Sequence, residues 1–219
     1  MFSCRATLIT LLSVFVLMGS ECTIKGTSGS SSRSDDDRYS GGGTIIVKSG
    51  RLVDAPVQGV RFVSGSLSGL TGPDGEFEYE ADQSIRFFIG DIAIGEAVAG
   101  KEIISPLDLV PGGDIDTPAV ITIARFLQSL DATPDEARIT IPALVRAAAV
   151  NSNSEAFPSV QTMNFADEAV FVNTATRLIA VLTASYPFTV MLIDPVTARE
   201  HLVSSLAAEG IDIGAAVAP

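Results

Sequence analysis

The apolar positions of this chain change period three times along its length. Residues 6–19, Ala-Thr-Leu-Ile-Thr-Leu-Leu-Ser-Val-Phe-Val-Leu-Met-Gly, carry no charge, follow Arg5 and end at the small residues Gly19 and Ser20. A charged start, a short apolar core and small residues behind it have the layout of a secretory signal peptide, and the run falls short of the about 20 residues that a membrane helix needs. Residues 22–43 are nearly all Gly, Ser, Thr and charge, including Asp35, Asp36 and Asp37. Such a stretch has too little apolar surface to order itself and reads as a solvated tether. From Thr44 to about Val98 the period is two. Ile45 and Val47, Val60 and Phe62, Phe77 and Tyr79, Ile85, Phe87 and Ile89, and Ile92 and Ile94 each place apolar side chains on one face of a short strand. Ser49-Gly50, Asp54-Ala55-Pro56, Ser64-Gly65, Gly72-Pro73-Asp74-Gly75 and Gly90-Asp91 supply turns between them. In the clearest, Pro73 fixes φ and Gly75 takes a positive φ that a side chain would resist. Antiparallel strands of this kind bury one face each, and a small β-sandwich is the economical solution.

Beyond Lys101 the period becomes helical. Asp116 or Thr117 can cap a helix with Pro118 at its first position, placing Val120, Ile123, Leu127 and Leu130 on one face before a stop near Asp131. Pro134 opens a turn, Ile139 and Ile141 suggest a brief extended piece, and Pro142 can start a helix through Ala149. Asp167 caps a longer helix carrying Leu178, Ile179 and Leu182. The last helix has Asp194 as N-cap, Pro195 as first residue, Leu202 and Leu206 on its buried face and Gly210 as its stop. The expected fold class is α+β: a signal peptide over 1–21, a disordered Gly/Ser/Asp tether over 22–43, a small antiparallel β-sandwich over 44–110, and a helical C-terminal region over 111–219 packed on or beside it.

Gln58-Gly59-Val60-Arg61-Phe62 followed by Ser68 through Tyr79 resembles the repeat core of carboxypeptidase-regulatory-like domains. These are prealbumin-like β-sandwiches that serve as modules of exported bacterial proteins. The wider run through Ile89–Gly95, Ser105–Leu109, Ile123–Asp131 and His201-Leu202 is similar to a module at the front of bacterial surface lipoproteins and adhesin-like proteins. The resemblance implies a further effector domain after that module, whereas the sequence runs out just past its last predicted helix.

Cys22 directly behind the apolar run, with a polar tether after it, resembles the acylated cysteine of bacterial lipoproteins. Glu21 and Gly19 stand where that family's motif has a small residue and a Leu, so ordinary cleavage near Ser20 to Cys22 and an uncleaved anchor remain as alternatives. With Thr23 behind the cysteine, the resemblance implies the outer membrane rather than retention at the inner one. Cys4 would be lost with the leader under either cleavage, leaving the mature chain no disulfide.

The net charge is −12, and removing residues 1–21, with one Arg and one Glu, leaves it unchanged. That sign repels nucleic-acid phosphates and anionic headgroups, so no nucleic-acid partner is expected and membrane contact is assigned to the N-terminal lipid anchor. A protein partner at the cell envelope fits such a location. The lack of Trp speaks against a carbohydrate-stacking face.

Candidate chemistry is sparse. His201 is the only histidine, which excludes a His-rich metal site. A Ser-His-Asp arrangement would pair it with Ser204 or Ser205 on its own helix, and Gly65-Ser66-Leu67-Ser68-Gly69 falls in a hairpin rather than ahead of a helix. His201 is therefore read as a structural residue bonded to a backbone carbonyl between the two halves, with Glu200 facing elsewhere. Its loss should cost about 1–2 kcal/mol. Asp91, Asp108, Asp114 and Asp116 near strand ends and a Gly-Gly loop are weak calcium candidates without EF-hand spacing. No cofactor is called for. The sequence points to a non-enzymatic, envelope-anchored structural or binding module. A hydrolase or a fragment of one, and a periplasmic subunit holding an apolar ligand between helices, are the alternatives.

Overall fold

Residues 45–134, 137–150, 163–211 and 213 are described by the computed structural model. The leader, the tether, Cys4 and Cys22 lie outside the described residues. Strand β1 (Val47–Leu52) pairs antiparallel with β5 (Glu76–Glu80) and parallel with β8 (Ile103–Ile104). Strands β3 (Arg61–Ser64), β4 (Leu67–Leu70), β6 (Ser84–Ile89) and β7 (Ile92–Ala99) form an antiparallel sheet in the order β4-β3-β6-β7. A third, minimal sheet joins β2 (Val57–Gln58) in parallel to β9 (Ile139–Thr140).

Cross-strand register explains how the two larger sheets meet. Phe62 pairs with Phe87, which pairs with Ile94, so one row of side chains points inward. Phe77 enters from the other sheet, its ring centroid 6.1 Å from Phe62 and 5.2 Å from Phe87. These spacings are those of favourable tilted and edge-to-face aromatic pairs. Val60, Phe62, Phe77, Tyr79, Ile85, Phe87, Ile89, Ile92 and Ile94 are all buried, as period two predicts. The first strand differs. Ile45, Ile46 and Val47 are 54%, 60% and 47% exposed, and the inward positions of β1 are Gly50 and Leu52. Ser49-Gly50 is accordingly not a turn but the middle of β1. A Cβ on Gly50 would stand 2.4 Å from the Lys101 carbonyl oxygen and 2.6 Å from the Phe77 ring, so close packing rather than chain reversal requires glycine there. The parallel pairings of β8 and β9 also depart from the all-antiparallel expectation, because each strand returns from a distant segment rather than through a hairpin.

Helix α1 (Pro118–Ser129) is buried at every position from Val120 to Ser129, the mark of a helix enclosed on all sides. It shares the main core with the sheets through Ile123, Phe126 and Leu127, joined by Val145 of α2 (Ala143–Ala148) and Phe171, Leu178, Ile179 and Leu182 of α3 (Glu168–Leu182). Helix α4 (Pro195–Ala208) packs on α1 through a separate small cluster of Ile115, Val120, Ala124, Ala198, Leu202 and Leu206. Its caps follow the sequence. Asp194 accepts from the N–H groups of Val196 and Thr197, and Gly210 takes φ +72° past the C-terminus, where Ile211 N–H closes onto Leu206 O. The fold is α+β, with the helices concentrated in the C-terminal part.

Candidate functional site

A buried polar network joins the turn between β1 and β2 to α1 and α4. The chain reverses at Val53-Asp54-Ala55-Pro56, where Val53 and Pro56 form a bridge and Ala55 takes φ +55°. A non-glycine residue in that conformation is uncommon and strained. The turn carries Asp54, which is wholly buried. From α1, Gln128 Nε2 donates to Asp54 Oδ2 at 3.0 Å and Oδ1 at 3.1 Å, and to the backbone oxygen of Ala198 in α4 at 3.1 Å. From α4, His201 Nδ1 lies 3.1 Å from Asp54 Oδ1.

His201 does lie between the two halves, but its partner is a buried carboxylate and not the backbone carbonyl expected from the sequence. The physical reason is burial. A carboxylate taken out of water needs donors, and a backbone oxygen has no comparable demand. Burial pushes the Asp54 carboxyl up, against the opposing pull of His201 and Gln128. The Asp54 hydrogen bond pushes the His201 imidazole up, against its own partial burial. Both shifts mean that the folded pair holds its proton more tightly than the separated groups do.

The His201 side chain is 42% exposed and opens onto a shallow cleft of about 260 Å³ lined by Val53, Ala55, Pro56, Ala137, His201, Ser204, Ser205, Ala208 and Glu209. Glu209 closes one side through a two-pronged ion pair with Arg51 of β1, Nη1 to Oε1 being 2.9 Å. Ser205 Oγ donates to the backbone oxygen of His201 at 2.9 Å. The structure thus brings His201, Ser204 and Ser205 to one cleft, while Asp54, the residue that orients the imidazole, is not singled out by the sequence. Gly65–Gly69 spans the turn after β3 and strand β4, where Ser66 donates its N–H and Oγ to Glu80.

The calcium candidates are engaged elsewhere. Asp108 accepts from Lys101 Nζ at 2.6 Å and from Ser105 N–H and Oγ. Asp114 accepts from Thr117 Oγ1 and Asp116 N–H, and the Thr117 hydroxyl holds its carboxyl below the usual range. Asp116 pairs with Arg199 of α4 at 2.8 Å. Asp91 sits in the β6–β7 turn, its N–H on Ala149 O. Among the described residues no three His, Cys, Asp or Glu side chains are grouped to hold a metal ion.

A second cleft of about 400 Å³ lies between β7, the start of α1 and residues 163–166, with Ala93, Leu109, Ile123, Met163 and Phe165 on its apolar walls and Arg86 and Glu96 also lining it. It sits between sheet and helix, not between two helices. Among the described residues, no helix is long and apolar enough to cross a membrane.

No family model and no solved structure matches the chain. Two curated proteins of Escherichia coli are similar to part of it: "Putative lipoprotein YghJ" and, from another strain, "Putative lipoprotein AcfD homolog". Each is 36% identical over 78 residues, a match that covers 33% of this chain and 5% of the relative. The chain therefore spans only a small part of the length of the relatives it matches.

Proposed function

We propose that this chain is a non-enzymatic module of an exported envelope protein, anchored to a membrane by acylation of Cys22 and serving as a structural or adhesin-like binding part. The observation that carries the reading is the similarity of a third of the chain to two proteins each named "Putative lipoprotein". It agrees with the uncharged run of residues 6–19, the cysteine behind it and the tether that follows. The geometry favours a structural role, since Asp54, Gln128 and His201 bind three elements to one another. The likeness of residues 58–62 and 68–79 to carboxypeptidase-regulatory-like modules supports a stalk or binding domain, and the outer membrane is the proposed address. In the test, cells are fed a fatty-acid analogue. Wild type should take up the label and Cys22→Ser should not, and equal labelling would remove the anchor from the reading.

One observation favours a second reading. A buried Asp on His Nδ1 fixes the tautomer that a general base uses, and two serines share the cleft. Against it, Ser205 Oγ bonds to a backbone oxygen rather than to the imidazole. The purified chain should leave ester, peptide and glycoside substrates intact. Hydrolysis that vanishes in His201→Ala, with the fold retained, would replace the first reading by the second.

A further inference from the structure

The start, the middle and the end of α4 are each held by different polar contacts. At the start, Arg125 Nε donates to Ile193 O at 2.7 Å, Ser129 Oγ accepts from Ile193 N–H at 3.0 Å, and Gln128 Nε2 reaches Ala198 O. None of these contacts uses a group that titrates near neutrality. Further along, the polar ties are His201 to Asp54 and Glu209 to Arg51. The apolar hold on this half comes from Leu202 and Leu206, members of a small cluster separate from the main core.

We propose that the C-terminal half of α4 is loosened by rising pH, held at its start on α1 and at its end by Arg51, and latched between them by the ion pair between half-exposed His201 and fully buried Asp54. The charged groups facing the imidazole are Asp54 from the turn, Asp131 from the end of α1, and Glu209, already paired with Arg51, along the cleft wall. Arg138, next to Ala137 on that wall, has its own partner. Asp54 and Asp131 both favour the protonated imidazole. Because the folded pKa of His201 is raised, its contribution is fully present below the ordinary histidine value and is lost as pH rises through the folded value. The raised pKa of Asp54 acts in the same direction, since burying its ionised form is unfavourable and the imidazolium is what offsets it. Above the transition Asp54 keeps Gln128 and a neutral imidazole, so the latch in the middle of α4 weakens while the contacts at its start and the Arg51–Glu209 pair at its end persist.

The experiment is amide hydrogen exchange on the full chain from about pH 5.5 to about pH 8.5, a window that brackets the ordinary histidine pKa of about 6.5, with rates corrected for intrinsic exchange. In wild type the protection of the Ser204–Ala208 amides should fall several-fold with rising pH, while that of Ile123–Leu127 in α1 holds. His201→Gln should show a flat profile for the same amides, and Asp54→Asn provides the same test if that variant does not fold. Constant protection in wild type, an equal fall in the neutral variants, or a parallel fall in α1 would each overturn the proposal.

Discussion

Gly75 offers the sharpest test of the turn that joins the two halves of the sandwich. Its φ is +77°, and a Cβ added there would stand 2.4 Å from the Leu52 carbonyl oxygen and 3.2 Å from Val57 N. Its own carbonyl accepts from Leu52 N–H at 2.9 Å, so moving the turn to relieve the overlap would pull on β1 at a wholly buried residue. Gly112 supplies the control, with φ +68° and no atom within 4 Å of the place a Cβ would take. Gly112→Ala should therefore carry only the backbone term, about 1 kcal/mol. Gly75→Ala carries that term and an overlap with backbone, for which overpacking costs of about 1–3 kcal/mol apply, giving about 3 kcal/mol in all. At roughly 2–4 °C per kcal/mol for a chain of this size, the melting temperature should drop by roughly 2–4 °C for Gly112→Ala and roughly 6–12 °C for Gly75→Ala. Thermal unfolding followed by circular dichroism separates the two. Equal shifts would refute the close approach of the turn to β1, and no shift in either would refute the positive φ as well.

Thr122→Val should destabilise by about 1–3 kcal/mol in denaturant unfolding, because the buried hydroxyl donates to Phe165 O at 2.6 Å and the valine leaves that carbonyl without its donor. Asp116→Ala breaks only an exposed pair with Arg199, and its unfolding midpoint should stay within about 0.5 kcal/mol of wild type. Asp194 has a carboxyl held low by the Thr197 hydroxyl and the N–H groups it caps. That capping is present above the ordinary aspartate pKa and is lost as pH falls through the depressed folded value, so Val196 and Thr197 amides should lose protection in acid, and Asp194→Ala should remove that dependence.

What the sequence made legible follows from where local chemistry decides the outcome. Period two put Phe62, Phe77 and Phe87 inside, and Asp167, Asp194, Pro118 and Pro195 marked helix starts, because caps and alternation act over a few residues. Ile45 and Val47 misled for the same reason. Their alternation is correct for a strand, but the inward parity of β1 is set by Gly50 against Phe77, its cross-strand partner on β5 of the same sheet and a residue distant in sequence. The site was half legible. His201 stood out as the lone histidine, whereas Asp54 sat in an Asp-Ala-Pro turn that reads as solvated. A signal was present in α1, where Arg125 and Gln128 interrupt a stretch otherwise fit for burial on every side. Buried polar residues on such a helix require partners, and asking which turn could supply a carboxylate leads towards Asp54.

Asp54 and His201 are separated by 147 residues in sequence. During synthesis the aspartate emerges early and its imidazole emerges only with α4, so until then the turn beneath α1 holds a carboxylate missing one of its donors. A chain shortened before α4 would carry that deficit permanently, along with an uncovered apolar strip at Val120 and Ala124. Quality control that recognises exposed apolar surface would therefore distinguish chains that carry α4 from chains cut short of it.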